Sequence, residues 1–194
     1  MNLYFDTEFT GLKKNTNLIS VGIVAETGDK FYAENIDILS EVIIYIDPWI
    51  KKNVIDRTIM GGDRELESSL LDDSTITTVI RGMSDIKNQL SKWLRQFSDV
   101  QFISDVCHYD FVLLIDIFGT AFDLPMNVSP TCYDINQDIA KFYGITQRQA
   151  FDKSREDIIK ELYGRDIIKG NKHNSLYDAE VIKAIYNGIH KQWR

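Results

Sequence analysis

Two acids stand one residue apart near the start of the 194-residue chain, Asp6 and Glu8. On a β-strand, side chains at i and i+2 project from the same face, so both carboxylates point one way. The alternate positions Leu3, Phe5, Thr7 and Phe9 form a face apolar enough for a central strand. Two carboxylates on a buried strand repel one another and resist desolvation unless a cation lies between them. A solvent-facing edge strand with two ordinary acids is the plainer alternative.

Two further acids and one histidine could join them. Asp110 opens an apolar helical stretch, where the helix dipole alone favours an acid. Asp178 shares a helical stripe with Val181, Ile182, Ile185 and Ile189, the face that should point inward. A carboxylate on that stripe needs a partner, unless Ser175 and Asp178 simply form a capping box. His173 lies five residues before Asp178, a spacing that does not share a helix face, so it belongs on the loop entering the helix. A loop histidine beside acids suits general-base chemistry, although the chain's three histidines leave room for an ordinary surface one.

The elements that would position these groups read as one α/β domain over 1–194. Residues 2–9, 18–26 and 30–36 pattern as three sequential strands, the last two joined by the turn Thr27-Gly28-Asp29. Residues 37–54 are ambiguous: Ile43, Ile44 and Ile46 favour a strand, and Pro48 opens a helix at Asp47. The polar stretch 61–78 reads as a long surface loop. Ser84 is the expected cap of a helix buried through Ile86, Leu90, Trp93, Leu94 and Phe97. Residues 100–104 read as the fourth strand, and 109–118 as a buried helix ended by Gly119. Asp134 with Gln137, and Ser154 with Asp157, pattern as capping boxes of helices stopped by Gly144 and Gly164. The last helix is expected over 175–193.

Composition bounds the class. The chain is 44% hydrophobic and 26% charged, which excludes a disordered or low-complexity chain. No apolar run approaches the ~18 residues of a membrane span, and no signal-peptide pattern opens the sequence, so a cytoplasmic protein is expected. Two cysteines, Cys107 and Cys132, fit reduced thiols rather than a disulfide scaffold. A net charge of −7 disfavours binding nucleic acid through the overall field, but not through a site whose acids are neutralised by bound metal.

The order of the motifs carries a resemblance. Asp6-Thr7-Glu8-Phe9-Thr10-Gly11-Leu12 resembles the first motif of the DEDD 3′→5′ exonuclease superfamily. Tyr109-Asp110 resembles the second, and His173-Asn174-Ser175-Leu176-Tyr177-Asp178 the third, with the H-x4-D spacing of the histidine branch, DEDDh. The tyrosine branch would need Tyr where this chain has Asn174. Residues 4–9, 18–26 and 31–33 are further similar to the compact bacterial and phage 3′–5′ exoribonucleases of the mycobacterial type. Asp105 departs from the Asn often found five residues before the second-motif Asp, and is left outside the ligand set.

The resemblance implies an RNase H-like mixed sheet flanked by helices, its first three strands antiparallel and the later ones parallel to the first. It implies that Asp6, Glu8, Asp110 and Asp178 hold two divalent cations, Mg²⁺ or Mn²⁺, which would balance four carboxylates, and that His173 is the general base. Phe9, Thr10, Gly11 and Leu12 would meet the terminal nucleotide, core packing being the alternative for Phe9, and Lys13, Lys14, Arg165, Lys169 and Lys172 are either contacts for upstream phosphates or plain solvated charge. The expected substrate is single-stranded RNA or a 3′ overhang, cut to nucleoside 5′-monophosphates, by a homodimer joined through aromatic residues of the last helix. A proofreading-type DNA exonuclease and a non-catalytic binding module on the same fold are the alternatives.

Overall fold

The computed structural model describes residues 1–41 and 46–193. One six-stranded sheet organises them, in the order β4-β3-β2-β1-β5-β6. Strands β1 (Asn2–Phe9), β2 (Leu18–Ala25) and β3 (Lys30–Asn35) form an antiparallel meander. Strands β4 (Ile76–Arg81), β5 (Val100–Ser104) and β6 (Val128–Asp134) each run parallel to their inner neighbour. The mixed sheet is the expected one, but residues 100–104 form its fifth strand, not its fourth.

The discrepancy lies in the segment read as a loop. Residues 61–78 hold α3 (Arg64–Asp72) and the first half of β4. Asp63 caps α3 by accepting the Leu66 N–H at 2.9 Å, and only Leu70 of that helix is fully buried. A helix so polar leaves little periodicity to read. Strand β6 went unread for a similar reason: it is an edge strand with Pro130 inside it and only Val128 buried.

Helices cover both faces. Leu3 and Phe5 of β1 face α4 (Met83–Leu94) and α5 (His108–Phe118), packing with Leu90, Leu94, Leu114 and Phe118. Tyr4 faces the other layer, with α6 (Asn136–Tyr143), α8 (Arg155–Tyr163) and α9 (Ser175–Gln192). The shorter helices are α1 (Ile38–Glu41), α2 (Pro48–Asn53) and α7 (Gln147–Asp152). Asp47 caps α2 with Pro48 in its first turn, as expected. The strand expected around 43–46 falls mostly outside the described residues.

Several caps differ from expectation. Gly82, not Ser84, precedes α4, and the first N–H is taken by Asp37, whose Oδ2 accepts from Met83 at 2.9 Å. Asp134 and Gln137 form no box; Asp134 accepts from the N–H groups of Asn136 and Val106 instead. Ser154 does cap α8, accepting from Asp157 N–H, and Gly144 and Gly164 end their helices in the left-handed region. Asn174 caps α9, so Ser175 and Asp178 form no capping box. The aromatics of α9 are largely engaged within the chain: Tyr186 packs on Tyr4 and Tyr133 and stacks on His190. Among the described residues no helix is long and apolar enough to cross a membrane.

Helix α9 lies close against the sheet where it crosses β2. A Cβ placed on Gly22 would sit 2.3 Å from the backbone nitrogen of Leu176, while Ser20 Oγ and Ser175 Oγ are 3.0 Å apart. Gly22 and Ser20 are the direct cross-strand partners of Asp6 and Glu8. Small residues opposite the two acids therefore let the first turn of α9 settle onto the sheet beside them. Gly22→Ala is expected to lift that turn, costing about 1–3 kcal/mol of stability by overpacking. Denaturant unfolding should show that loss, and Asp178 should move with the helix.

Candidate active site

Asp6 and Glu8 point from β1 toward α9, which supplies Asp178 from its first turn. One carboxylate oxygen from each of the three can be chosen so that all lie within 4.8 Å of one another. Asp110 reaches the same place from the opposite layer. Its Oδ1 accepts the N–H and hydroxyl of Thr7, at 3.1 and 2.6 Å, and its Oδ2 accepts the Ser104 hydroxyl at 3.2 Å. Thr7 stands between Asp6 and Glu8, so these bonds bind the helix of the second motif to the strand of the first.

Electrostatics shows what such crowding costs. Burial first, then the charges of Asp110, Asp178 and Glu8, push Asp6 well above the usual carboxylate range. Burial and the charges of Asp178 and Asp110 raise Glu8 to about 8. Burial also lifts Asp178 to about 7 and Asp110 to about 6, against hydrogen bonds that favour their charged forms. Four carboxyl groups whose ionisation is opposed for want of positive charge are a set of hard oxygen donors suited to divalent cations.

His173 sits on the loop before α9, as its spacing implies. Its φ of 65° lies in the left-handed region, uncommon for a residue with a side chain. The conformation aims its N–H at Asp178 Oδ2, 2.9 Å away. Its ring meets the edge or face of Trp49 at a centroid distance of 5.0 Å and 78°. Burial, then the charges of Lys172 and Arg57, lower its pKa, so the ring is neutral at pH 7 and able to accept a proton.

The four residues after Glu8 divide their roles. Phe9 is half-buried and stacks on Tyr109 at 5.5 Å, which gives the cleft an aromatic wall. Leu12 is 78% exposed at its lip. Thr10 is buried, and its hydroxyl accepts the Asn17 N–H at 2.9 Å, closing the loop that carries Gly11. The cleft, about 650 Å³, is completed by Phe151, Lys153 and Lys172.

Asp105 lines the cleft but is already committed. Arg155 bonds both of its oxygens, at 2.5 and 2.8 Å, and Asn136 donates to Oδ1 at 2.7 Å. The remaining guanidinium donors reach the carbonyls of Ala150 and Lys153 and Asn136 Oδ1. Arg155 thus ties the starts of α6 and α8, the end of α7 and the strained turn at Val106, φ 55°, into one wall. This network escaped sequence reasoning because fifty positions separate the two charges. The T-x-x-Q box of Thr146 and Gln149 that starts α7 was readable and was not read.

Residues 1–189 match the family model described as the Rv2179c-like 3′-5′ exoribonuclease domain. No curated protein sequence matches the chain. Among solved structures, the nuclease domain of 3′hExo, a DEDDh family member bound to rAMP, superposes with a TM-score of 0.67 at 14% identity, over 98% of this chain and 92% of that one. A 3′-exonuclease in 3′-end-specific recognition of a histone mRNA stem-loop gives 0.64 at 14%, over 98% and 63%. A chain from the yeast NOT1 MIF4G domain co-crystallised with CAF1 gives 0.50 at 16%, over 98% and 80%.

The RNase H-like fold is shared with these nuclease neighbours, and Asp6, Glu8 and Asp178 cluster in its cleft. The chain belongs to the Rv2179c-like 3′-5′ exoribonuclease domain family, and its activity is that of a 3′→5′ exoribonuclease.

The raised carboxyl groups fix the sign of a pH effect. Each keeps its proton in the folded chain at a pH where the unfolded chain, with carboxyls near 4, has released it. Their contribution to stability is complete below about pH 4 and is lost as pH climbs through about 6, 7 and 8, where Asp110, Asp178 and Glu8 ionise. Chelator-treated protein should therefore melt at falling temperature between about pH 5 and pH 8. Mg²⁺ or Mn²⁺ should raise the Tm most at the upper end, and Glu8→Gln should flatten the slope. A separate expectation concerns the wall: Arg155→Met strands Asp105, and denaturant unfolding should show a loss of roughly 2 kcal/mol.

Proposed function

We propose that the chain degrades single-stranded RNA and 3′ overhangs from the 3′ end with two divalent cations, releasing nucleoside 5′-monophosphates. The observation that carries this reading is the convergence of Asp6, Glu8 and Asp178, with Asp110 bonded to the strand between the first two. In this reading Asp6, Glu8, Asp178 and Asp110 hold the cations. Mg²⁺ or Mn²⁺ suits an all-oxygen donor set better than zinc. Bound there, the cations offset the carboxylates' charge, acidify a water and stabilise the leaving 3′ oxygen.

The chain's own groups do the rest. His173, neutral at pH 7, takes the proton from the attacking water and passes it to solvent through the open cleft. Phe9, backed by Tyr109, offers a face on which the terminal base stacks without regard to sequence, and Leu12 wedges beside it. Thr10 fixes the loop so that the Gly11 backbone lies along the terminal sugar. Lys153 and Lys172, both in the cleft wall, face the incoming phosphates. The structural neighbour bound to rAMP is a nuclease domain occupied by a nucleoside monophosphate, which agrees with the product class.

The reading also takes the enzyme as a cytoplasmic homodimer, with Trp193, the 40% exposed residue that follows α9, as an aromatic contact of the interface. Hydrolysis of matched RNA and DNA oligonucleotides, single-stranded and with 3′ overhangs, tests the activity. Mononucleotide release from RNA is expected with Mg²⁺ or Mn²⁺, none with EDTA, and slower release from DNA. Asp178→Ala should abolish turnover, and His173→Ala should lower kcat by about 10²–10⁴-fold while Mn²⁺ binding persists. Equal rates on DNA would move the reading to a proofreading-type exonuclease, and no release from folded protein to a binding module.

A further inference from the structure

The general-base reading leaves one question that the three motifs do not answer, namely what holds the His173 ring. The residue sits in a left-handed backbone conformation on a loop, tied to α9 by its own N–H alone. That bond fixes the backbone and leaves the side chain free to rotate. Two contacts from a segment outside every motif complete the support. Trp49 of α2 meets the imidazole edge-to-face, and Arg57 donates from Nη1 to the carbonyl of Lys172 at 3.1 Å, the residue just before the histidine.

The segment bearing both residues is itself anchored. Ile50, Val54 and Ile55 pack with Ile19 and Ile38 over β2. The turn that follows is bolted to the sheet by Glu34, a fully buried acid that no step of the reaction uses. Glu34 Oε1 accepts from Ile59 N–H at 2.7 Å and from the Tyr32 hydroxyl at 2.7 Å, and its Oε2 accepts from Met60 N–H at 2.8 Å. Gly61 allows the turn to close, since a Cβ there would fall 1.8 Å from the Ile55 carbonyl. Trp49 is 55% exposed despite its size, so it contributes little to the core it borders. Its position is explained by its contact rather than by burial.

We infer that Trp49 and Arg57 are positioning residues for the general base: the 47–60 segment is a clamp, held to β3 by Glu34, that fixes the loop and ring of His173 for proton transfer. The inference rests on His173 being that base. A ring held in one rotamer keeps its acceptor nitrogen aligned, and misplacement by about 1 Å can cost on the order of a hundredfold in rate. An edge-to-face aromatic contact biases the ring toward one rotamer.

The test is a double-mutant cycle on turnover of a single-stranded RNA oligonucleotide. Trp49→Ala is expected to lower kcat about tenfold with KM changed less than twofold, and Trp49→Phe to restore most of it. In a His173→Ala background Trp49→Ala should cost nothing more, because it acts only through the missing ring. Arg57→Gln should lower kcat in the same direction, and also cost nothing more in that background. Mn²⁺ binding and denaturant unfolding should match the parent protein. In NMR spectra, the His173 ring protons, assigned by their loss in His173→Ala, should shift and broaden in Trp49→Ala. An equal loss in both backgrounds, a rise in KM alone, or unmoved ring signals would overturn the inference. Full turnover by His173→Ala, with ring signals that still respond to Trp49→Ala, would instead remove the general-base reading while the clamp's contact stood.

Discussion

Carboxylates repel, and everything near the active site of this enzyme answers to that fact. Three of them from two distant parts of the chain converge, and a fourth couples to them through the intervening threonine. The crowding of the acids opposes folding, and their pKa values are raised accordingly. The cluster persists because the scaffold overdetermines it. The antiparallel pairing of β1 with β2 fixes two acids, the hydrophobic face of α9 fixes the third, and the bonds from Thr7 and Ser104 fix the last. Strain of this kind concentrates where function needs preorganised charge.

The same logic explains the choice of small residues opposite the acids. A helix can bring a first-turn carboxylate onto a sheet only if the strand beneath offers no bulky side chain. Ser20 and Gly22 satisfy that requirement, and the register puts them beside Glu8 and Asp6 rather than one residue away. A one-residue slip would turn Asp6 and Glu8 to the other face and bury them among the phenylalanines of the α4–α5 layer. Catalytic geometry and strand register are therefore one specification.

Much of this was legible in the residues themselves. The alternation of β1, the continuous apolar run of β2 and the stripe around Asp178 each record burial, which governs both pattern and fold. His173 was placed on its loop by helical arithmetic alone. What escaped depended on partners far away in sequence. Asp37 caps α4, and Arg155 binds Asp105, and neither pairing leaves a local trace. Helix α3 and strands β4 and β6 are shallowly buried at the sheet's margins, where a polar helix or a proline-bearing edge strand carries a weak periodic signal. Trp49 looked unremarkable because an aromatic residue in an ambiguous stretch announces nothing about its neighbour.

The position of α9 has a consequence for synthesis. It brings Asp178 against Asp6, and the five other strands of the sheet lie between them in sequence. A growing chain can pair β1 with β2 early, yet it lacks Asp178 and His173 until α9 has emerged. The long-range contact that closes the acid cluster therefore ties its assembly to the emergence of the helix that follows all six strands.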